Sequence, residues 1–289
     1  MAEIVGGIFT SHVPAIGGAI AKGLHQDPYW KPFFDGFHPV HSWLEEKKPD
    51  AAVVFYNDHG LNFFLDKMPT FAVGAAKSYR NSDEGWGLPP VKAFEGAPDL
   101  SWHIIETLVD AEFDVTTCQE MLVDHALTVP VQLCWPGTAA WPVRIVPIVV
   151  NTVQHPLPSP RRCLALGRAV ARALESWGGD ERIVVMGTGG LSHQLDGERA
   201  GFINQKYDRL CLDSLGPDPD ALTAHSSLDI VELAGSQGIE VLNWIAARGA
   251  MGAGAREVSR NYHIPISNTA AATLLLERVE EAGQQSLAA

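Results

Sequence analysis

Three histidines follow predicted strands closely, and this repeated placement is the feature of the sequence most capable of chemistry. Each of three apolar runs leads to one of them: Ile4–Phe9 to His12, Ala51–Tyr56 to His59, and Arg182–Met186 to His193. In open α/β sheets, ligands bind beyond the carboxyl ends of parallel strands. If these strands are parallel, the three imidazoles meet at one edge of the sheet. Imidazoles bind metals and exchange protons near neutral pH.

The glycine-rich segment before His193 reads Gly-Thr-Gly-Gly-Leu-Ser-His. It lacks the Gly-Lys-Ser/Thr ending of a P-loop and the glycine spacing of a dinucleotide-binding turn. Its glycines therefore indicate a sharp backbone turn that brings His193 into a crevice.

A carboxylate that could join the histidines is Glu240, at the start of the predicted helix Ile239–Arg248. Its neighbours are apolar on nearly every side. The carboxylate then lies either at a solvated edge or in the interior with a partner, because burial alone is costly. Two histidines and one carboxylate leave open positions on Fe(II) for substrate and dioxygen. A zinc hydrolase can use the same ligands, so both metals stay open at this point.

His125 lies with Asp124 in an apolar run, so we expect its imidazole to be buried and hydrogen-bonded. From the residues alone, a core histidine with no role in a site is a fair alternative. The other histidines lack any such context and are predicted to be structural or exposed: His25, His38, His41, His103, His155 and His225.

The composition excludes several classes of function. The chain has 289 residues, 46% of them hydrophobic, and a net charge of −13 from 21 basic and 34 acidic side chains. Such a charge disfavours nucleic acids and anionic membranes as partners. No signal peptide or membrane-spanning run is evident. The four cysteines are far apart with no Cys-x-x-Cys pair, so free thiols and a cytoplasmic location are expected.

The order of elements predicts an α/β fold. The strands are Ile4–Phe9, Ala51–Tyr56, Arg144–Val150 and Arg182–Met186, and the helices are Pro98–Glu112, Pro160–Trp177, Ile239–Arg248 and Thr269–Val279. Continuous apolar strands between helices indicate a sheet covered on both faces. We therefore expect a single catalytic domain over residues 1–289, with a mixed or largely parallel central sheet flanked by helices.

These segments, taken together, resemble the class III extradiol ring-cleaving dioxygenases, in particular the catalytic β subunit of protocatechuate 4,5-dioxygenase. The matching stretches follow the family order over nearly the whole chain. They include TSHVPAIGGAI from Thr10, YNDHG from Tyr56, DEGWG from Asp83, DHALTVP from Asp124, GTGGLSHQLDGERAGFIN from Gly187, GIEVLNWIAARGA from Gly238 and YHIPISNTA from Tyr262.

The resemblance implies roles for particular residues. It implies that His12, His59 and Glu240 bind one non-haem Fe(II). It implies that His193 acts as the acid and base and that His125 lines the pocket. Ser267 and Asn268 are then expected to contact the substrate's carboxylate or hydroxyl edge.

The resemblance also implies a substrate and a partner. The substrate is expected to be a carboxylated catechol similar to protocatechuate, opened with O2. Gallate, a methylated gallate or a dihydroxypyridine is an alternative. Because the chain ends soon after the last matching segment, a separate small α subunit in an α2β2 assembly is expected, with a homodimer as the alternative. A non-catalytic metal-binding relative is the remaining functional alternative.

Overall fold

An eight-stranded mixed sheet forms the centre of the molecule, in a computed structural model that describes residues 2–252 and 254–279. The strands of the described residues are β1 (Glu3–Thr10), β2 (Ala51–Tyr56), β3 (Phe71–Gly74), β4 (Ser78–Asn81), β5 (Phe94–Glu95), β6 (Thr116–Cys118), β7 (Leu122–Val123), β8 (Arg144–Val150), β9 (Arg182–Thr188), β10 (Gly254–Ile266) and β11 (Thr269–Val279). The order in the large sheet is β10-β11-β1-β9-β2-β8-β3-β6, and β5, β4 and β7 form a small second sheet.

Helices cover both faces of the large sheet. They are α1 (Pro14–Ala21), α2 (Lys31–Asp35), α3 (His38–Lys47), α4 (Pro98–Asp110), α5 (His125–Cys134), α6 (Pro160–Ser176), α7 (Gln205–Leu215), α8 (Ser227–Ala234) and α9 (Val241–Ala250). Short 3-10 turns occupy Leu24–Gln26, Pro219–Ala224 and Gly238–Glu240. None of the helices in the described part of the chain is long and apolar enough to cross a bilayer.

The strand β2 shows why the sheet must be covered twice. Its alternating side chains enter two different hydrophobic clusters: Val53 and Phe55 pack with helices α4, α6 and α9, and Val54 and Tyr56 pack with α3 and α5. Side chains of a strand alternate between faces, so a strand that is apolar at every position needs a layer on each side. The predicted α/β class with a covered central sheet is thereby confirmed.

The four central strands β1, β9, β2 and β8 run parallel. The outer strands differ: β11 pairs antiparallel with β1, and β3 pairs antiparallel with β8. The sheet is therefore mixed, and the carboxyl ends of its central strands share one edge. The predicted bounds 1–289 also include Met1, Ala253 and residues 280–289, which lie outside the described residues.

The prediction of a helix over Thr269–Val279 was wrong, because this segment is strand β11. Its alanines, leucines and glutamate favour helix on local propensity. However, the segment pairs along its length with β10 and along five residues with β1. Pairing between two strands buries Leu274, Leu275 and Leu276, and this tertiary gain outweighs a propensity of a few tenths of a kcal/mol per residue.

The helices α6 and α9 pack closely through glycine. A Cβ atom placed on Gly167 of α6 would lie 1.9 Å from the carbonyl oxygen of Ala246 and 2.8 Å from Cα of Gly249. Both contacts are to backbone, which cannot turn aside. The close approach of the two helices therefore depends on the absence of a side chain at residue 167.

We expect Gly167→Ala to lower the free energy of unfolding by about 1–3 kcal/mol, the usual cost of overpacking a core. Urea denaturation measures this loss. Gly178→Ala is the matched control, because a Cβ there meets nothing within 4 Å. Equal urea concentrations at the midpoint of unfolding for the two variants would contradict the close packing of α6 against α9.

Candidate active site

The carboxyl ends of three adjacent parallel strands carry the three histidines to one place, as the sequence predicts. His12 follows β1, His59 follows β2, and His193 follows β9, which lies between those two strands. The ring centroids of His12 and His59 are 5.2 Å apart. The backbone reaches His193 through Gly189 and Gly190, both with positive φ, so the predicted sharp turn is present.

Glu240 lies at the centre of this group. It ends the 3-10 turn before α9 and is 5% exposed, so the solvated-edge alternative is excluded. Its carboxylate oxygens lie 3.3 Å from Nε2 of His12, 3.4 Å from Nε2 of His59 and 3.6 Å from Nε2 of His193. Three imidazoles thus face one buried carboxylate.

A fourth imidazole, that of His125, completes the group. His125 is the first residue of α5, and its ring stacks on that of His59 with centroids 4.3 Å apart. One ligand atom each from His12, His59 and His125 lie within 4.8 Å of one another. Geometry therefore offers either Glu240 or His125 as a third ligand beside His12 and His59.

Every one of these imidazoles makes a hydrogen bond through Nδ1, which orients its Nε2. The partners are Thr188 Oγ1 for His12 at 3.1 Å, Asp124 Oδ2 for His59 at 2.9 Å, Glu84 Oε1 for His125 at 2.7 Å and the Leu191 carbonyl for His193 at 2.9 Å. A carboxylate or carbonyl can only accept, so Nδ1 carries the proton in the last three. The Nε2 lone pairs are then available to a ligand or a proton.

Two asparagines fix the Glu240 carboxylate. Asn243 donates to the amide oxygen of Asn57 at 3.0 Å, so the amide nitrogen of Asn57 faces Glu240 Oε1 at 3.2 Å. The backbone N–H of Gly190 donates to Glu240 Oε2 at 3.2 Å. These donors orient the carboxylate but supply no full positive charge.

The electrostatics of the group are those of a site that attracts a cation. Burial alone would raise the pKa of Glu240, but His12, His59 and His193 outweigh it and hold the pKa well below its usual value. Burial lowers the pKa of His12. Burial also disfavours charged His59, yet hydrogen bonds to Asp124 and Glu240 raise its pKa to about 10. When no metal is bound, a proton on His59 thus supplies the positive charge that this site attracts.

The donor set fits a divalent metal of intermediate hardness. It offers imidazole nitrogens and one carboxylate, with the opposite ring nitrogens already hydrogen-bonded, which is the usual arrangement behind metal-binding histidines. The four cysteines are buried and free and line no part of this site, so a thiolate site is not formed here.

The histidines open onto a cavity of about 890 Å³. Its wall on one side is apolar, with Val13, Pro14, Trp30 and Leu88 among the lining residues. Such a mixture of apolar wall and a few converging polar groups is typical of small-molecule sites.

Ser267 and Asn268, which were predicted to contact substrate, differ in their positions relative to the cavity. Ser267 and Asn268 form the two-residue turn between β10 and β11, and both have positive φ, as a type I′ hairpin requires. Ser267 lines the cavity, whereas Asn268 is exposed and is not among the lining residues. Thr269 bridges to His193, so this turn lies beside the His193 segment.

Several functional contacts were not predicted from the sequence. Glu84 holds both the backbone N–H and the ring of His125, at 2.8 and 2.7 Å. Thr188 and Asn243 likewise contact the site from distant parts of the chain. The stretch around Glu84 was recognised only as a family segment. Asp124 and Asn57 contact the ring of His59, while the neighbouring Asp58 accepts the backbone N–H groups of residues 61–63.

Residues 6–272 match the protein family described as the catalytic LigB subunit of aromatic ring-opening dioxygenase. The chain belongs to this LigB family. The resemblance to class III extradiol dioxygenases is thereby confirmed.

Two relatives in this family have named activities. A gallate dioxygenase from Pseudomonas putida is 40% identical over 204 residues, which are 70% of this chain and 59% of the relative. A 2,3-dihydroxyphenylpropionate/2,3-dihydroxicinnamic acid 1,2-dioxygenase from Photorhabdus laumondii is 32% identical over 216 residues, 74% of this chain and 64% of the relative. The chain thus spans less than two thirds of the length of either LigB relative.

A solved structure has the same fold. The crystal structure of the uncharacterized protein JW3007 from Escherichia coli K12 aligns with a TM-score of 0.55 over 94% of this chain and 99% of that one. The sequences are 14% identical, so the likeness concerns the fold alone.

We expect alanine at His12, His59 or Glu240 to remove most of the bound metal, because each change deletes a predicted ligand and leaves the remaining groups unpaired. Elemental analysis of protein purified without oxygen measures the metal content. His38→Ala is the control, since His38 is exposed and outside the group. A full complement of metal in His59→Ala would show that His59 is not a ligand.

Proposed function

We propose that this chain is the catalytic part of a non-haem Fe(II) extradiol dioxygenase that opens the ring of a carboxylated catechol with O2. The observation that carries the proposal is the buried Glu240 carboxylate, faced by three Nε2 atoms at the wall of an open cavity. Family membership supports the reaction class.

We infer that the ligands are His12, His59 and Glu240, and the argument rests on charge. A divalent cation bound by Glu240 compensates a buried negative charge that has only neutral donors and imidazoles around it. If His12, His59 and His125 were the ligands instead, no direct bond to the metal would compensate the charge of the Glu240 carboxylate. The inferred set also leaves His125 to face the cavity.

Bound Fe(II) would supply Lewis-acid and oxygen chemistry for a diol held beside it. The chain's own residues supply proton handling. The Nδ1–H of His193 donates a hydrogen bond to the Leu191 carbonyl. Its Nε2 is therefore the basic atom that faces the site. A catechol hydroxyl beside Glu240 can pass its proton to that nitrogen. His125, held by Glu84, presents its Nε2 as a hydrogen-bond donor or acceptor to the bound molecules.

The substrate's acid group is expected to point away from the ligands, because that end of the cavity already contains the Glu240 carboxylate. Lys22, the residue after α1, is the one lysine or arginine among the described residues that line the cavity, and it forms no ion pair among them. Ser267 and Ser236 also line the cavity and offer hydroxyls. These groups support a carboxylated catechol; protocatechuate is our proposal, and gallate is the alternative favoured by the name of one relative.

We also propose that a small α subunit covers the cavity in an α2β2 assembly. Exposed apolar side chains line the cavity and the adjoining pocket that shares His59 and Val153 with it: Phe64, Leu65, Trp86, Val153 and Leu195. An exposed apolar patch beside a site commonly marks an interface. We propose a cytoplasmic location, supported by four buried cysteines without a disulfide.

Oxygen uptake is the direct test of the reaction. Protein purified without oxygen and supplied with Fe(II) should consume one O2 per molecule of protocatechuate or gallate and form a yellow ring-opened product. Zinc-loaded protein is the control and should consume none. Uptake by neither acid, with iron bound, would refute the proposed reaction, and hydrolytic activity of the zinc form would favour a zinc hydrolase instead.

We expect Lys22→Ala to raise KM for carboxylated catechols about tenfold, as the loss of one charged contact of roughly 1.5 kcal/mol predicts. KM for catechol itself, which has no carboxylate, should stay unchanged. Lys31→Ala is the control, because Lys31 pairs with Asp35 outside the cavity. An equal effect on catechol and its acids would exclude Lys22 as the partner of the acid group.

A further inference from the structure

A buried carboxylate outside the candidate site holds the segment that carries His193. Asp208 lies on α7, is 0% exposed and does not line the cavity. Its Oδ1 accepts the backbone N–H of Ser192 at 2.8 Å, and its Oδ2 accepts the Ser192 hydroxyl at 2.7 Å. Ser192 is the residue directly before His193, so Asp208 binds both polar donors of that neighbour.

A third donor comes from another element. The hydroxyl of Tyr262 in β10 donates to the same Oδ2 of Asp208 at 2.7 Å. The Ser192 hydroxyl in turn accepts the backbone N–H of Asn204, the residue that caps α7, at 2.9 Å. Asp208 therefore joins the His193 segment to α7 and to the β10–β11 hairpin.

The backbone on the other side of the segment is fixed as well. The N–H of His193 donates to the Ala234 carbonyl at 2.8 Å, and the N–H of Gly238 donates to the His193 carbonyl at 3.2 Å. Gly238 begins the turn that carries Glu240. The position of the His193 ring relative to Glu240 thus depends on these hydrogen bonds to the backbone and to Ser192. Among the groups named here that make them, Asp208 is the only charged one.

The interactions that hold Asp208 are hydrogen bonds rather than ion pairs. All donors to Asp208 are neutral, and no lysine or arginine of the described residues pairs with it. Burial raises the pKa of this carboxyl, while the hydrogen bonds from Tyr262 and Ser192 act in the opposite direction. Removing the acid alone would leave the Ser192 N–H and two hydroxyls without their acceptor, which is costly in the interior. The same three directed hydrogen bonds set the geometry of the segment that carries His193.

We propose that Asp208 is a positioning residue for His193: by binding the Ser192 N–H and hydroxyl, with Tyr262 as the third donor, it fixes where the His193 imidazole stands relative to Glu240 and the substrate. The inference rests on the proposed function, in which His193 Nε2 takes the substrate proton. Displacement of a reacting group by about 1 Å can cost on the order of 100-fold in rate. The contact between His193 Nε2 and Glu240, at 3.6 Å, is the distance at stake.

The variants separate the hydrogen bonds from general packing. Asp208→Ala removes all three contacts. Asp208→Asn keeps an oxygen for the Ser192 N–H, and the hydroxyls of Ser192 and Tyr262 can turn to accept from its amide. Tyr262→Phe removes one donor. Tyr207→Phe is the matched control, because it deletes a buried hydroxyl from the adjacent residue of α7 that makes no hydrogen bond to the His193 segment.

We expect kcat to fall about 10- to 100-fold in Asp208→Ala and a few-fold in Tyr262→Phe, with KM and bound iron within about twofold of the parent. Asp208→Asn should restore much of the rate, and Tyr207→Phe should match the parent. Parent-like kcat in Asp208→Ala, or equal losses in Tyr207→Phe and Tyr262→Phe, would overturn the proposal. If Asp208→Ala does not fold, the tyrosine pair and Asp208→Asn still decide it.

Hydrogen–deuterium exchange of the metal-free protein supplies a second measurement that needs no activity. The amides of residues 190–193 should exchange faster in Tyr262→Phe and Asp208→Ala than in the parent, and at the parental rate in Tyr207→Phe. Absence of ring-opening activity in the parent protein would refute the proposed function. Unchanged amide exchange in both Asp208→Ala and Tyr262→Phe would instead refute the positioning role, so the two failures are distinguishable.

Discussion

The site depends on one electrostatic constraint, a carboxylate held inside the protein among imidazoles. Glu240 is ionised there because three histidines face it, and those histidines are themselves held by groups behind them. One of those groups, Asp124, is an acid, and a second acid, Glu84, holds the neighbouring His125. The result is a surplus of negative charge around a buried carboxylate. A bound cation relieves that surplus, and without one a proton on His59 does so in part.

The fold supplies the rigidity that such a constraint requires. Parallel strands β1, β9 and β2 end side by side, so three histidines reach one edge of the sheet without long loops. Glu240 comes from a different direction, on the turn that begins α9, and α9 packs against α6 through glycine contacts that permit little movement. By contrast, Glu84 lies in a stretch between β4 and β5 that includes exposed Trp86. The three histidines that face Glu240 are therefore placed by the ends of sheet strands, whereas the partner of His125 comes from a loop.

Much of this arrangement could be predicted from the sequence, because its signals are local. Continuous apolar runs gave the bounds of β2 and β8 to the residue, and the histidines after the runs of β1, β2 and β9 indicated the shared edge. The partners of the histidines could not be found in the same way. Thr188 and Glu84 meet His12 and His125 across 176 and 41 residues of chain, and nothing in their own neighbourhood identifies them. Strand β11 was missed because its composition favours helix, and only pairing with β1 and β10 decides otherwise.

Acidic and basic side chains are also distributed unevenly in the lining of the cavity. The protein carries a net charge of −13, and the ligand end of the cavity concentrates acids, so an anionic substrate is repelled from most of the surface. A diol can still approach that end, because its hydroxyls can give protons to His193 and bind a cation there. In the proposed function, a carboxylate on the same ring is instead repelled there, and we expect it to pair with Lys22 elsewhere in the cavity lining. The distribution of charge that favours a cation would then also set the direction in which an aromatic acid enters, with its hydroxyls towards Glu240 and its acid group away from it.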